Sequence, residues 1–341
     1  MQKIELRSDT FTRPTPAMLE AMLHAQVGDD VFQEDPSVNE LEHEIAAYFG
    51  MEAALFCPSG TMSNQIAIRC HTQPGDEVIC EQNSHVYLYE GGGIAVNSLC
   101  QVKLLQGDRG RLTALQIAQS INPDDIHRPV SKLVSLENTA NRGGGSCYEW
   151  QEIIAIHDLC RSRNLRLHLD GARIWNAIVA GNEDPKEYGR LFDSLSVCMS
   201  KGMGAPVGSL VVGSHNLIKQ ARRVRKVLGG GMRQAGYLAA AGLYALHHHL
   251  PLLRQDHVHA QRVAEILMQK KWLKTLQPVE TNILIFSLQG ESTPQQFVQY
   301  MQQFGVECMA ISSDQVRMVF HLDVTTTMVD KVCEIIREKE L

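Results

Sequence analysis

Short apolar runs alternate with longer amphipathic stretches along most of this chain. Ala53–Cys57, Glu77–Cys80, Lys132–Glu137, Leu165–Leu169 and Leu195–Met199 read as buried strands, bounded by turn-forming residues. Helical spacing begins near Thr61, after a Pro-Ser-Gly turn, and again over Tyr148–Arg163. Ser209–Val212 reads as a strand returning from the loop that follows Met199. This order predicts an α/β architecture, a mostly parallel sheet covered by helices, with ligands at the carboxyl ends of its strands. After about residue 250 the rhythm changes. A helix over Leu252–Lys271 leads to a strand over Asn282–Leu288, a helix over Pro294–Phe304, a strand over Val316–Phe320 and a last helix over Thr325–Lys339. The expected division is therefore a large domain, 1–249, and a small C-terminal α/β domain, 250–341. There is no internal repeat and no low-complexity linker.

Composition narrows the function classes. The net charge of −6 carries no block of like charges, which argues against nucleic acid or a membrane surface as the main partner. No apolar run approaches the roughly 20 residues of a membrane span. Nine cysteines, scattered and without a C-x-x-C pair, read as reduced thiols in a cytoplasmic protein. The polar N-terminal stretch has no signal-peptide pattern.

The candidate chemistry sits at two strand ends. Leu165–Leu169 runs into Asp170, and Leu195–Met199 is followed by Ser200-Lys201-Gly202. An amine and a carboxylate so placed are what a pyridoxal phosphate (PLP) enzyme needs. The lysine forms the Schiff base, and the aspartate holds a proton on the pyridine nitrogen so that the ring accepts electrons. The plainer alternative is a loop lysine and a helix cap. Pro58-Ser59-Gly60-Thr61, between a strand and a helix, would offer backbone N–H groups to a phosphate, or is ordinary capping. His85, just after a strand, could stack on a pyridine face or simply pack. Arg173, after Asp170-Gly171-Ala172, could reach the cofactor's phenolic oxygen or lie in solvent. Arg225 to Arg233, with Lys226 and Gly229-Gly230-Gly231, suits a phosphate or a flexible loop, and lacks the order of a P-loop. His247-His248-His249 point in different directions on a helix, so no metal site is expected there.

These residues, with others in the same order, resemble the threonine aldolases of the fold type I, aspartate-aminotransferase-like PLP class. The shared motifs include Leu6-Arg7-Ser8-Asp9-Thr10, Gly28-Asp29-Asp30-Val31, Pro58 to Asn64, Glu137-Asn138-Thr139, His168 to Arg173, the Lys201 segment, Gly229 to Gln234 and Val316 to His321. The low-specificity L-threonine aldolases, which cleave L-threonine and L-allo-threonine to glycine and acetaldehyde, are the nearest resemblance.

The resemblance implies a seven-stranded sheet in the large domain and a role for each matching residue. Lys201 would carry PLP, Asp170 would pair with the pyridine nitrogen, and His85 would stack on the ring. Ser59, Gly60, Thr61 and Ser200 would surround the phosphate. Arg233 and Lys226 would act across a subunit interface in a homotetramer, a dimer of dimers. Ser8 and Arg317 would hold the substrate carboxylate, and His127 would lie near the β-substituent. The catalytic base is left open among His85, His127 and a water held by either. Two departures bear on side-chain preference: Ala140 stands where a histidine is usual, and Phe32-Gln33 where Tyr-Gly is usual. The rival readings are another fold type I activity (serine hydroxymethyl transfer, aminotransfer or β-elimination) and a non-catalytic PLP-binding protein.

Overall fold

The protein is described by a computed structural model covering residues 3–290 and 292–339; the outer ends of the two expected domains, at residues 1 and 341, lie outside these. Its strands are β1 (Ile4–Glu5), β2 (Ala53–Cys57), β3 (Glu77–Glu81), β4 (Gln101–Leu105), β5 (Ser131–Glu137), β6 (Arg166–Gly171), β7 (Ser194–Cys198), β8 (Ser209–Gly213), β9 (Leu273–Leu276), β10 (Ile283–Leu288), β11 (Val306–Glu307), β12 (Met309–Ala310) and β13 (Gln315–Val319).

Seven of these form the main sheet, in the order β2-β8-β7-β6-β5-β3-β4. Neighbours run parallel except β8, which is antiparallel to both β2 and β7. The central strands are buried on both faces, which is why they read as continuous apolar runs. β4 lies at the sheet edge, half-exposed, and its Gln-Val-Lys-Leu-Leu sequence does not announce a strand. The register aligns Glu137 with Asp170 and Asp170 with Ser196. The ends of β5, β6 and β7 therefore share one rim of the sheet, and the site is built there.

A tight loop carries the chain from β7 back along β8. Met199 N donates to Gly208 O (3.0 Å), Ala205 N to Met199 O (3.1 Å) and Gly204 N to Lys201 O (2.8 Å). Gly208 has φ +114°, and a Cβ there would lie 2.6 Å from the Phe56 ring, so only glycine suits the turn that presents Lys201.

The second sheet is antiparallel, in the order β12-β13-β10-β9. The helices Leu253–Leu267, Pro294–Gln303 and Thr326–Glu338 enclose a separate core around Phe286, Phe297 and Phe320. The N-terminal segment joins this core rather than the larger one. β1 pairs in parallel with β11, Ile4 and Leu6 are buried against the small sheet, and Val319 N donates to Leu6 O (2.9 Å). The segment then delivers Ser8 and Asp9 to the space between the two sheets' helices. No helix among the described residues is long and apolar enough to cross a membrane.

Candidate active site

Asp170, buried at the end of β6, accepts from Ala172 N (3.1 Å) and from Asn64 Nδ2 (3.0 Å). Asn64 lies on the helix Gly60–His71, whose N-cap Ser59 accepts from Met62 N (3.2 Å). The other Asn64 amide hydrogen goes to Glu90 Oε1 (2.9 Å), and Gln65 Nε2 donates to Glu90 Oε2 (2.6 Å). Glu90 also meets His85 Nδ1 at 2.9 Å. A carboxylate can only accept, so His85 carries its hydrogen on Nδ1 and keeps the Nε2 lone pair. Burial disfavours a charge on His85, but the Glu90 hydrogen bond and the charges of Asp170, Glu90 and Glu137 raise it above its ordinary value.

Glu137, at the end of β5, is fully buried. It accepts from the backbone N–H of His85 (2.7 Å) and of Asn141 (2.8 Å). Burial and the neighbouring Asp170 charge push its carboxyl up to about 7, against the backbone donors and His85.

Three cationic groups frame the opposite side. Lys201 Nζ lies 3.3 Å from Cys198 Sγ, and Ser200 Oγ is 3.4 Å from the same sulfur. Arg173 grips Asp9 with two 2.7 Å bonds, and Asn282 Nδ2 adds a third donor at 3.2 Å. Burial alone would raise the Asp9 carboxyl; the Arg173 charge and bonds, helped by Lys201 and Asn282, hold it down to about 2. Arg317, from β13, donates to Asn141 Oδ1 (2.9 Å) and Arg7 O (3.0 Å), while its buried Nε–H has no partner. Burial and the nearby Arg173 lower the Arg317 guanidinium to about 10, so it remains charged at neutral pH.

These groups fit pyridoxal phosphate. An anionic carboxylate kept acceptor-only suits a protonated ring nitrogen. An amine that meets Cys198 Sγ and, among the described residues, no carboxylate by a hydrogen bond is available for imine chemistry. A three-turn helix opening on Ser59-Gly60-Thr61 suits the phosphate. Arg317's free donor suits a substrate carboxylate.

Other expected residues lie apart. Ser8 is half-buried, its Oγ accepting from Thr10 N and Oγ1 (3.2 and 2.9 Å). His127 stands on an exposed loop and meets Asp125 at 2.8 Å, and no hydrogen bond or ion pair among the described residues joins it to Lys201 or Asp170. Lys226 is exposed. Arg233, also exposed, pairs with Asp29 at 2.9 Å, whereas Arg225 is buried, donating to Phe56 O (2.6 Å) and pairing with Asp30 (2.8 Å). The three consecutive histidines diverge: His247 meets Glu44 and His249 meets Met203 O. Ala140 is buried against Gly110, where an added Cβ would come within 2.6 Å of its methyl. Phe32 is exposed, and Gln33 sits at φ 61°, a left-handed conformation in which the glycine usual there is at ease.

Asp9, Asn64, Glu137 and Asn141 all lie in or beside motifs singled out in the sequence, but nothing there gave them partners. Glu90 and Asn282 carried no signal beyond, for Glu90, the three glycines that follow it.

The architecture and the Lys201–Asp170 rim define a fold type I PLP enzyme. A profile of the beta-eliminating lyase family matches residues 5–291. Over 330 residues, 96% of this chain and 97% of the relative, it is 44% identical to the low specificity L-threonine aldolase of Escherichia coli K12. It is 40% identical to the Saccharomyces cerevisiae enzyme of that name, covering 96% of this chain and 84% of the relative. The chain belongs to the low-specificity L-threonine aldolase family. Among solved structures, the Leishmania major threonine aldolase superimposes with a TM-score of 0.85 at 20% identity, covering 98% of both chains. Serine palmitoyltransferase of Sphingomonas wittichii gives 0.76 at 15% identity, over 99% of this chain and 87% of that one, which shows the shared fold alone.

Proposed function

We infer that the protein is a PLP-dependent aldolase that cleaves L-threonine and L-allo-threonine to glycine and acetaldehyde. The observation that carries this is the delivery of Asp170 and Lys201 by adjacent parallel strands, beside an arginine with an unused buried donor. When bound, PLP supplies a conjugated electron sink at the substrate Cα. Lys201 would hold the cofactor through its amine, Asp170 would keep a proton on the ring nitrogen, and Ser59, Gly60, Thr61 and Ser200 would hold the phosphate. Arg317, with Ser8 near it in the chain's N-terminal segment, would take the substrate carboxylate and orient the Cα–Cβ bond for cleavage. His85 would lie against the ring and, through Nε2, accept the β-hydroxyl proton as that bond opens to the aldehyde. A proton delivered to Cα, matching the one taken from the hydroxyl, would complete glycine. Arg173, anchored by Asp9, lies toward the phenolic oxygen. The smaller unit, residues 250–341, brings Arg317 to this rim of the large one, 1–249. Nine free cysteines, most of them buried, suit a reducing cytoplasm.

The test is aldehyde release from L-threonine, L-allo-threonine and D-threonine, followed with a coupled reductase. The two L-substrates should be cleaved and the D-isomer left, because a D-amino acid meets the imine and Arg317 only with its side chain on the wrong face. His127, which stands on an exposed loop and meets Asp125, is assigned to the β-substituent by the family resemblance and not by any contact, among the described residues, with the Lys201–Asp170 rim. A misplaced methyl costs about 1–3 kcal/mol, which gives a modest diastereomer ratio rather than exclusion. His127→Ala should therefore change that ratio more than it changes PLP content. Comparable D-threonine turnover, or an unchanged ratio in an active variant, would count against this account.

Arg233 and Lys226 are exposed on their own chain, with Gly229 to Gly231 between them, and we assign them to a neighbouring copy's phosphate in a homotetramer. Mixing inactive Lys201→Ala with inactive Arg233→Ala chains should restore part of the activity. Continued inactivity after verified subunit exchange would mean that each site is self-contained.

A further inference from the structure

We propose that Asn64, His168 and Ser194 are positioning residues: a one-way hydrogen-bond relay along one face of the sheet that keeps Asp170 in place as an acceptor. The inference rests on Asp170 being the ring-nitrogen partner.

Donor counting fixes every link. Asn64 Nδ2 faces two carboxylates, Asp170 (3.0 Å) and Glu90 (2.9 Å), and spends both hydrogens on them. The reversed amide would set Oδ1 against both anions, so its orientation is forced. Asn64 Oδ1 must then accept, and it meets His168 Nε2 at 3.2 Å. His168 is therefore the Nε2–H form, and its Nδ1 must accept from Ser194 Oγ (2.8 Å). The hydroxyl has then spent its only hydrogen, so His71 Nε2, also 2.8 Å away, must donate to it. Both imidazoles are neutral: burial, with each other's proximity for His168, takes His168 down to about 3 and His71 to about 4. Apart from the Asn64 hydrogen given to Glu90, every hydrogen in the relay points toward Asp170.

The relay runs along one face of the sheet from rim to rim, because His168 and Asp170 are two residues apart on β6 and His168 is in register with Ser194. Asp170 ends β6 on the rim that carries Lys201, while Ser194 opens β7 at the other rim. His71 closes its helix and lines a cavity of about 560 Å³ there, with Arg161, Arg166 and Asp193. His168 and Ser194 are each fully buried, and such a polar line beneath a helix is costly unless every member is satisfied. Here every member is. The amide between His168 and Asp170 also matters chemically. It transmits orientation but cannot pass a proton, so neither imidazole can neutralise the carboxylate that must stay anionic.

The experiment uses the holoenzyme loaded with pyridoxal phosphate ¹⁵N-labelled in the ring, comparing wild type, Asp170→Asn, His168→Leu, His168→Gln and Ser194→Ala. The readouts are ring-nitrogen protonation by NMR and the cofactor dissociation constant by fluorescence. Asp170→Asn should lose the ring proton; if it does not, the reading of Asp170 itself fails, separately from the relay. Loss of a hydrogen-bond chain ending on a charged group should weaken cofactor binding about tenfold in His168→Leu, with partial loss of the ring proton. His168→Gln, which offers both a donor and an acceptor, should restore much of both. A folded His168→Leu with wild-type ring signal and affinity, alongside a deprotonated Asp170→Asn, overturns the proposal. Should His168→Leu fail to fold, Ser194→Ala decides: the same changes on a smaller scale support the relay, and wild-type values overturn it. In wild type, ¹⁵N signals from His168 should show a neutral Nε2–H ring; any other form also overturns it.

Discussion

Replacing Lys201 with alanine is expected to lower kcat/KM for L-threonine by about four orders of magnitude, the upper range for one positioned proton-transferring group. The loop from Met199 to Gly208 puts this amine at the rim where β6 ends on Asp170. Burial and the Arg173 charge disfavour its protonation, but Cys198, Asp9 and Asp170 hold the Lys201 amine above its ordinary value. Purified wild-type protein should be yellow, and borohydride should fix the cofactor to Lys201 in a peptide map. An adduct on another lysine, or an alanine variant with more than about one hundredth of wild-type turnover, would reject the assignment.

Much of this was legible before folding was known, and the reason is physical. β2, β5, β6 and β7 are largely buried on both faces, so their sequences are mostly apolar, and their ends are marked by Glu137, Asp170 and Ser200-Lys201. β4 escaped because an edge strand buries only part of one face. The helices His215–Val227 and Gly236–His248 are not read either: the first is strongly amphipathic, burying Leu217, Ile218 and Ala221 beneath its Arg and Lys, whereas the second, rich in alanine, shows no sharp apolar stripe. In the site, the residues legible in advance were those that act on the cofactor or substrate directly. Those that act on other side chains were not. Glu90 matters only because His85, five residues earlier, folds back onto it, and Asn64 only because its amide reaches both Glu90 and Asp170. Such roles depend on distances between elements, which composition and periodicity do not encode. Asp9 is the clearest case: Ser8 was singled out for the substrate, yet it is its neighbour that enters the buried pair with Arg173.

That pair carries the largest stability effect we expect. Asp9→Ala would leave a buried guanidinium without its anion, which costs about 3–5 kcal/mol. Asp9→Leu with Arg173→Met should recover most of that loss while abolishing activity, because an apolar pair needs no charge compensation. The pH dependence has a definite sign. Asp9 is depressed from 3.8 to about 2 in the folded protein, so its contribution is complete above the unfolded value and is lost as pH falls toward 2. The shift corresponds to about 2 kcal/mol. Glu137 works the other way: raised from 4.5 to about 7, it binds its proton more tightly when folded and costs stability as pH rises through that interval. The two windows do not overlap, so denaturant titrations at fixed protein concentration can separate them. Below about pH 4 the stability difference between wild type and Asp9→Ala should narrow by about 2 kcal/mol, while between pH 5 and 7 it should stay constant. A single variant within about 1 kcal/mol of wild type at neutral pH, or a difference that does not narrow in acid, would show that Arg173 is held by something other than Asp9.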